Sequence, residues 1–222
     1  MRLAWRHHSA GLLLGLGLVS VAAAPFAADA MPGAVIVEWR EVRALFLLGA
    51  YHIASGWDHL AFLLGLLLFG LTWRQLVKII TAFTVAHSTT LALAALGWIT
   101  PPSALIEPLI ALTVAYVGLA NLLWRKHGHS VWLVFAFGLV HGFGFAGALA
   151  ASLSPEQLGH GRWLISLASF NLGIEAFQLL LIGLAAPALH WLERYSWSVY
   201  FRQAAGVAIL GVGLAWFVAR LY

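Results

Sequence analysis

Two histidines and an aspartate lie close together in an apolar stretch of the chain, at His52, Asp58 and His59. Imidazole nitrogens and carboxylate oxygens are suitable ligands for Ni²⁺, Zn²⁺, Fe²⁺ or Co²⁺. We expect Gly56 to break the local helix, which would allow the three side chains to meet around one ion. Asp58 has an alternative role as the acceptor that orients a metal-binding histidine.

Further polar side chains occur inside later apolar segments. A charged side chain at the centre of a membrane helix costs about 2.5–3.5 kcal/mol on insertion scales, so such groups usually face a bundle interior, a cavity or one another. We therefore predict one cluster, open to the outer side and reaching the middle of the membrane. Its predicted metal ligands are His52, Asp58, His59, His87, Glu107, His141 and Glu175, and its predicted supporting residues are Ser88, Asn171 and Gln178.

Each candidate also has a purely structural alternative. His52 or His59 could be an ordinary interfacial histidine, and Glu107 could stabilise a helix start through the helix dipole. His87 and His141 could bond to polar groups on a neighbouring helix. The hypothesis of a shared site depends on all of them lying in the same half of the membrane, on different helices.

The elements that must position these residues are membrane helices. The chain is 62% hydrophobic and 9% charged, which excludes an ordinary soluble domain. Its apolar runs of about 20 residues suit helices and not the shorter strands of a barrel. We predict an all-α bundle of six spans, at about 57–73, 79–97, 104–124, 130–152, 163–189 and 200–220.

Two further segments complete the predicted organisation. Residues 1–30 have the layout of a secretory signal peptide or an uncleaved first span, and 31–222 form a single helical membrane domain. Residues 38–55 carry four charges and are predicted to form an interfacial or re-entrant helix. With residue 31 outside, most basic residues fall in cytoplasmic loops, as the positive-inside rule requires: Arg74, Lys78, Arg125, Lys126, Arg194 and Arg202.

Several other functions are excluded or disfavoured. The absence of cysteine rules out disulfides and thiolate metal sites. No basic cluster is long enough to follow a nucleic acid backbone. The sequence GFGFAG at 142–147 follows no strand, so it is read as part of a small-residue packing stripe at Gly138, Gly142 and Ala146. The nearby sequence AFGLVH at 136–141 repeats the Ala-Phe-x-x-x-His pattern of AFTVAH at 82–87, and the two segments lie on helices predicted to run in the same direction.

Four blocks in order resemble the HupE/UreJ family of bacterial membrane proteins: HIASGWDH, TAFTVAHSTTLALAALG, FGLVHGFGFAGAL and FNLGIEAFQ. His52, Asp58 and His59 match the family's first signature, and the later blocks are similar to its second subgroup. The resemblance implies a secretory signal, about six spans in the bacterial inner membrane, and a nickel or cobalt permease serving hydrogenase or urease maturation. The doubled His-Gly motif of other members is represented here by His141-Gly142 alone.

Three functions stay open from the sequence. The leading hypothesis is a permease that carries a divalent transition metal, with nickel as the first choice of ion and cobalt as the second, and with Glu175 as a proton-coupling group. The alternative is an intramembrane zinc hydrolase of the ceramidase-like type, in which zinc activates a water. The third is a haem protein with His87 and His141 as axial ligands. Expected partners are the metal ion and membrane lipid, without nucleic acid; a homo-oligomer and a metallochaperone partner are left open.

Overall fold

The computed structural model describes residues 38–124, 130–150 (side chains through residue 145) and 159–222 (all side chains except that of residue 160). All regular secondary structure in these ranges is helical. The helices are α1 (Trp39–Ser55), α2 (Trp57–Leu67), α3 (Trp73–Ala95), α4 (Ser103–Leu123), α5 (Val131–Ala150), α6 (His160–Leu192) and α7 (Ser198–Leu221). The predicted signal segment, 1–30, lies outside the described residues.

The predicted helix break at Gly56 is confirmed. α1 ends at Ser55 and α2 begins at Trp57, with Gly56 in extended backbone conformation between them (φ −84°, ψ 95°). A β-carbon on Gly56 would lie 2.7 Å from Nδ1 of His59 and 2.9 Å from the carbonyl oxygen of His52. Only glycine therefore fits where the two histidine segments meet.

The boundary between the first two predicted spans differs from the sequence-based one. α2 ends at Leu67, and the chain turns at Gly70, which has a positive φ of 69°. α3 then begins at Trp73, because Thr72 and Gln75 form a capping box that satisfies the free N–H groups of its first turn. Residues 68–73, which were predicted to end the first span, thus belong to this turn and to the start of α3.

Four helices in the described ranges are long and apolar enough to cross a membrane: α3, α4, most of α6, and α7. The described parts of α2 and α5 are shorter apolar helices. The fold class, an all-helical membrane protein, agrees with the prediction, while the count of six spans stays a prediction. The membrane position of α1, predicted to be interfacial, also stays a prediction.

Close helix pairs are made possible by glycines. On α5, Gly138 faces the backbone of Phe83 and Gly142 faces the backbone of His87, so α3 and α5 run in the same direction, as predicted from the repeated Ala-Phe-x-x-x-His pattern. Both glycines belong to the predicted small-residue stripe, and the side chain of its third member, Ala146, lies outside the described residues. Because there is no β-carbon at these positions, the backbones approach closely and His87 and His141 share one interface.

Two other pairs pack in the same way. α4 and α7 are antiparallel, with Gly118 against Leu210 and Gly213 against Ala115. α1 lies on α6, where Gly49 faces the carbonyl of Phe170 and Gly173 faces the carbonyl of Phe46. The contact between α1 and α6 holds the C-terminal half of α1, with His52, against the bundle.

Candidate metal centre

Four histidines from four different helices come together inside the bundle. They are His52 on α1, His59 on α2, His87 on α3 and His141 on α5. The ring centroid of His59 lies 4.8 Å from that of His52, 5.9 Å from that of His87 and 5.0 Å from that of His141, and the rings of His52 and His87 are 5.8 Å apart. We call these four residues the histidine cluster.

Most of the polar atoms of the histidine cluster have no partner. His59, His87 and His141 are buried, and His52 is partly buried. Solvent-inaccessible nitrogens without a hydrogen bond occur in all four rings: Nε2 of His52, Nε2 of His59, both nitrogens of His87 and Nδ1 of His141. A buried polar atom without a partner costs free energy, so several of them in one place mark the histidine cluster as a candidate binding site.

Phenylalanine rings surround the histidine cluster. Phe145 lies 4.1 Å from the ring of His52 and is stacked on Phe170, while Phe83 lies 5.3 Å from the ring of His141. Phe62 lies 5.3 Å from His141 as well. These rings keep the cluster in an apolar environment, which strengthens electrostatic interactions with any bound cation.

The spacing of the rings is compatible with a common ion, although their orientation is not yet that of a coordination site. Two imidazoles bound to a tetrahedral ion through bonds of about 2.1 Å have centroids about 5 Å apart. The observed separations bracket this value. However, no group of three or more His, Asp or Glu side chains in the described ranges is arranged to hold a metal ion. Some of the rings would therefore have to turn toward a common centre for binding.

Two of the predicted acidic ligands lie near Arg220, at the C-terminal end of α7. Both carboxylate oxygens of Asp58 accept hydrogen bonds from Arg220 Nη2, at 3.1 and 2.9 Å. Arg220 also donates to the backbone carbonyl of Glu107 at 3.1 Å, and the Glu107 side chain is exposed. The structure thus gives Asp58 an arginine partner, although Asp58 adjoins His59 in the chain.

Glu175 and Gln178 form a separate polar contact between α6 and α3. The hydroxyl of Thr81 donates to Glu175 Oε1 at 2.7 Å, and the hydroxyl of Thr84 donates to Gln178 Oε1 at 3.1 Å. Thr84 precedes His87 by about one helical turn, so this polar layer lies next to the histidine cluster along α3. Glu175 thus bonds to Thr81 and not to a residue of the histidine cluster. The predicted role of Glu175 as a metal ligand or proton carrier stays a prediction.

The two remaining supporting residues bond chiefly to their own helices. Ser88 donates to the carbonyl of Thr84 at 2.6 Å, and Asn171 Nδ2 donates to the carbonyl of Leu167 at 2.8 Å. Oδ1 of Asn171 is buried without a partner, like the cluster nitrogens. Its supporting role therefore stays open to a ligand, whereas the hydroxyl proton of Ser88 is already used.

Sequence reasoning missed Thr113, whose Oγ1 lies 2.7 Å from Nε2 of His141. A threonine inside an apolar helix gives no sequence signal for such a contact, because it depends on the packing of α4 against α5. Arg220 also has no predicted role, although residue 220 ends the sixth predicted span on the side where Asp58 opens the first. The predicted topology puts Asp58 and Arg220 on the same side of the membrane, but their pairing depends on how α7 packs against α2.

The comparisons with known proteins bear on the family alone. The model of the family described as "HupE / UreJ protein" matches residues 28–220. No curated protein and no solved structure matches the chain. The match covers most of the chain and confirms the resemblance seen in the four sequence blocks. Together with its apolar helices, it makes this chain a membrane protein that belongs to the HupE/UreJ family.

Proposed function

We propose that this protein is a permease for a divalent transition metal ion, nickel or cobalt, and that the histidine cluster binds the ion during its passage. Membership of the HupE/UreJ family suggests a function related to metal transport. The observation that carries the proposal is the convergence of four imidazoles from four helices, each with a buried, unpartnered nitrogen.

The chemistry of the cluster suits this cargo. Neutral imidazole is a ligand of intermediate softness that binds Ni²⁺, Co²⁺ and Zn²⁺ well, whereas Mg²⁺ and Ca²⁺ prefer oxygen ligands. A transport site must also release its ion. Rings that need to turn before they converge are suited to reversible binding, because part of the binding free energy is used to reorient them.

The acidic residues have separate roles in the proposal. In the predicted topology, Asp58 and Glu107 lie at the periplasmic end of a protein of the bacterial inner membrane. The exposed carboxylate of Glu107 attracts cations there, whereas the carboxylate of Asp58 is paired with Arg220. Glu175, on α6, bonds to Thr81, which precedes His87 along α3. Glu175 is the candidate for proton coupling. The ion would then reach a metallochaperone for metalloenzyme maturation. A homo-oligomer is compatible with the proposal but not required by it.

The test is to measure nickel and cobalt binding and uptake by His59→Ala and His87→Ala. The purified protein is titrated with each metal in detergent and then assayed for uptake in proteoliposomes. We expect each variant to lose at least about tenfold in affinity and to lose most uptake, because ligand removal leaves too few imidazoles. His190→Ala is the matched control, since His190 is an exposed histidine of α6 that pairs with Glu193.

Unchanged binding and uptake in both variants, with the fold retained by size-exclusion chromatography, would refute the proposal. A zinc ion that stays bound through purification, together with hydrolysis of a lipid substrate, would support the alternative of an intramembrane zinc hydrolase.

A further inference from the structure

Thr113 is a buried residue of α4 that contacts the histidine cluster through its hydroxyl. Its Oγ1 lies 2.7 Å from Nε2 of His141 and 2.7 Å from the backbone carbonyl oxygen of Ile110. Both Thr113 and His141 are almost completely shielded from solvent. Water is therefore not available to replace either hydrogen bond.

The hydrogens in this contact can be assigned. A threonine hydroxyl has one hydrogen and can accept through its lone pairs, whereas a carbonyl oxygen can only accept. If the hydroxyl hydrogen pointed at His141, two acceptor oxygens would face each other at 2.7 Å without a hydrogen between them. The hydroxyl must therefore donate to Ile110, and the hydrogen in the other contact must come from Nε2 of His141.

This assignment determines the state of the second ring nitrogen. A neutral imidazole carries one N–H, so an Nε2–H form leaves a lone pair on Nδ1. Nδ1 of His141 is buried and has no hydrogen-bond partner. The ring of His141 is also 5.0 Å from that of His59, within the histidine cluster. A lone pair in this position is what a metal ligand requires.

We propose that Thr113 is a positioning residue, which holds His141 in the Nε2–H tautomer and so presents Nδ1 as the metal-binding atom. The statement about the ligand atom rests on the proposed function, while the statement about the tautomer does not. Metal-binding histidines commonly donate their second N–H to a neighbouring oxygen, which fixes the ring and its tautomer. Here the neighbouring oxygen is itself fixed by the α4 backbone.

The experiment compares Thr113→Val with Thr113→Ser. Valine keeps the shape of threonine but removes the hydroxyl, and serine restores it. Thr90→Val is the matched control, because Thr90 is a buried threonine whose hydroxyl bonds to the carbonyls of Ala86 and His87 in its own helix. The full-length metal-free protein is labelled with ¹⁵N-histidine, and the His141 nitrogens are assigned by their loss in His141→Gln.

We expect the spectrum of the wild type, of Thr113→Ser and of Thr90→Val to show a protonated Nε2 and an unprotonated Nδ1 at His141. In Thr113→Val we expect the other tautomer or an average of the two, and a loss of about tenfold in Ni²⁺ affinity. A protonated Nδ1 in the wild type would overturn the inference without any variant. An unchanged tautomer in Thr113→Val would overturn it as well.

The inference and the proposed function can fail separately. If the tautomer depends on Thr113 but the wild-type protein binds neither Ni²⁺ nor Co²⁺, the positioning role is supported and the permease proposal is refuted. If Ni²⁺ binds to the wild type and Thr113→Val binds it equally well with the wild-type tautomer, the positioning role is refuted and the permease proposal stands.

Discussion

Gly56 determines how close the first two histidines of the cluster come to each other. It separates α1 from α2, and a β-carbon at this position would touch both Nδ1 of His59 and the carbonyl oxygen of His52. The neighbouring His59 ring lies 4.8 Å from that of His52. The spacing of His52 and His59 in the sequence thus becomes a spatial pair only because the residue between the helices lacks a side chain.

We predict that Gly56→Ala lowers nickel affinity by at least about tenfold, the loss also expected for His59→Ala, because the added methyl displaces the imidazole of His59. Metal titration of the purified variant measures this. Gly211→Ala is the control, since a β-carbon at Gly211 meets no atom within 4 Å. Wild-type affinity in Gly56→Ala would mean that His59 does not need its present position to bind metal.

At the scale of elements, the α1–α6 pair brings His52 to the other three histidines. This contact is closest at Gly49 and Gly173, where a β-carbon on either helix would run into the backbone of the other. Without a large hydrophobic driving force between helices in lipid, such close packing is a main source of association. α1 therefore depends on its glycine contacts with α6 to stay in place.

We expect Gly173→Ala to destabilise the protein by about 1–3 kcal/mol, because the new methyl overlaps the backbone of Phe46 and forces the helices apart. Thermal unfolding in detergent gives the change in stability. Gly183→Ala, on the same helix and with open space around the added carbon, should be neutral or stabilising by up to about 1 kcal/mol. Equal melting temperatures for the two variants would contradict this account.

At the scale of the whole molecule, an ion pair lies near each end of α7 and ties distant segments together. Arg220 joins α7 to Asp58 at the start of α2 and to the Glu107 carbonyl near the start of α4. At the other end, Arg202 contacts Glu193 and the carbonyl of Leu68. The last helix is thereby linked to both ends of α2.

A double-mutant cycle with Asp58→Asn and Arg220→Gln should give a coupling energy of about 0.2–1 kcal/mol, which decreases as salt is added. Both side chains are more than one-fifth exposed, so screening limits the interaction. The free energy of unfolding of the four proteins in detergent provides the measurement. Additive effects of the two substitutions would show that the pair does not hold α7 to α2.

The sequence by itself determined the helical fold class and placed the four histidines among seven candidate ligands, without separating them from Asp58, Glu107 and Glu175. Hydropathy reports the cost of leaving each segment in water or lipid, so the membrane helices could be predicted from local composition. The break at Gly56 and the shared direction of α3 and α5 were also predictable. An imidazole within an apolar helix costs free energy unless it faces another polar group.

Only the tertiary structure decided which polar residues are neighbours. Asp58 adjoins His59 in the chain, yet its carboxylate is bound by Arg220, 162 residues away. Glu175 was predicted to share one site with the histidines, but it bonds to Thr81 on α3. Depth follows from the sequence at a fixed rise per residue, whereas the direction of a side chain depends on how each helix rotates and packs. The contact of Thr113 with His141 depends on that packing alone.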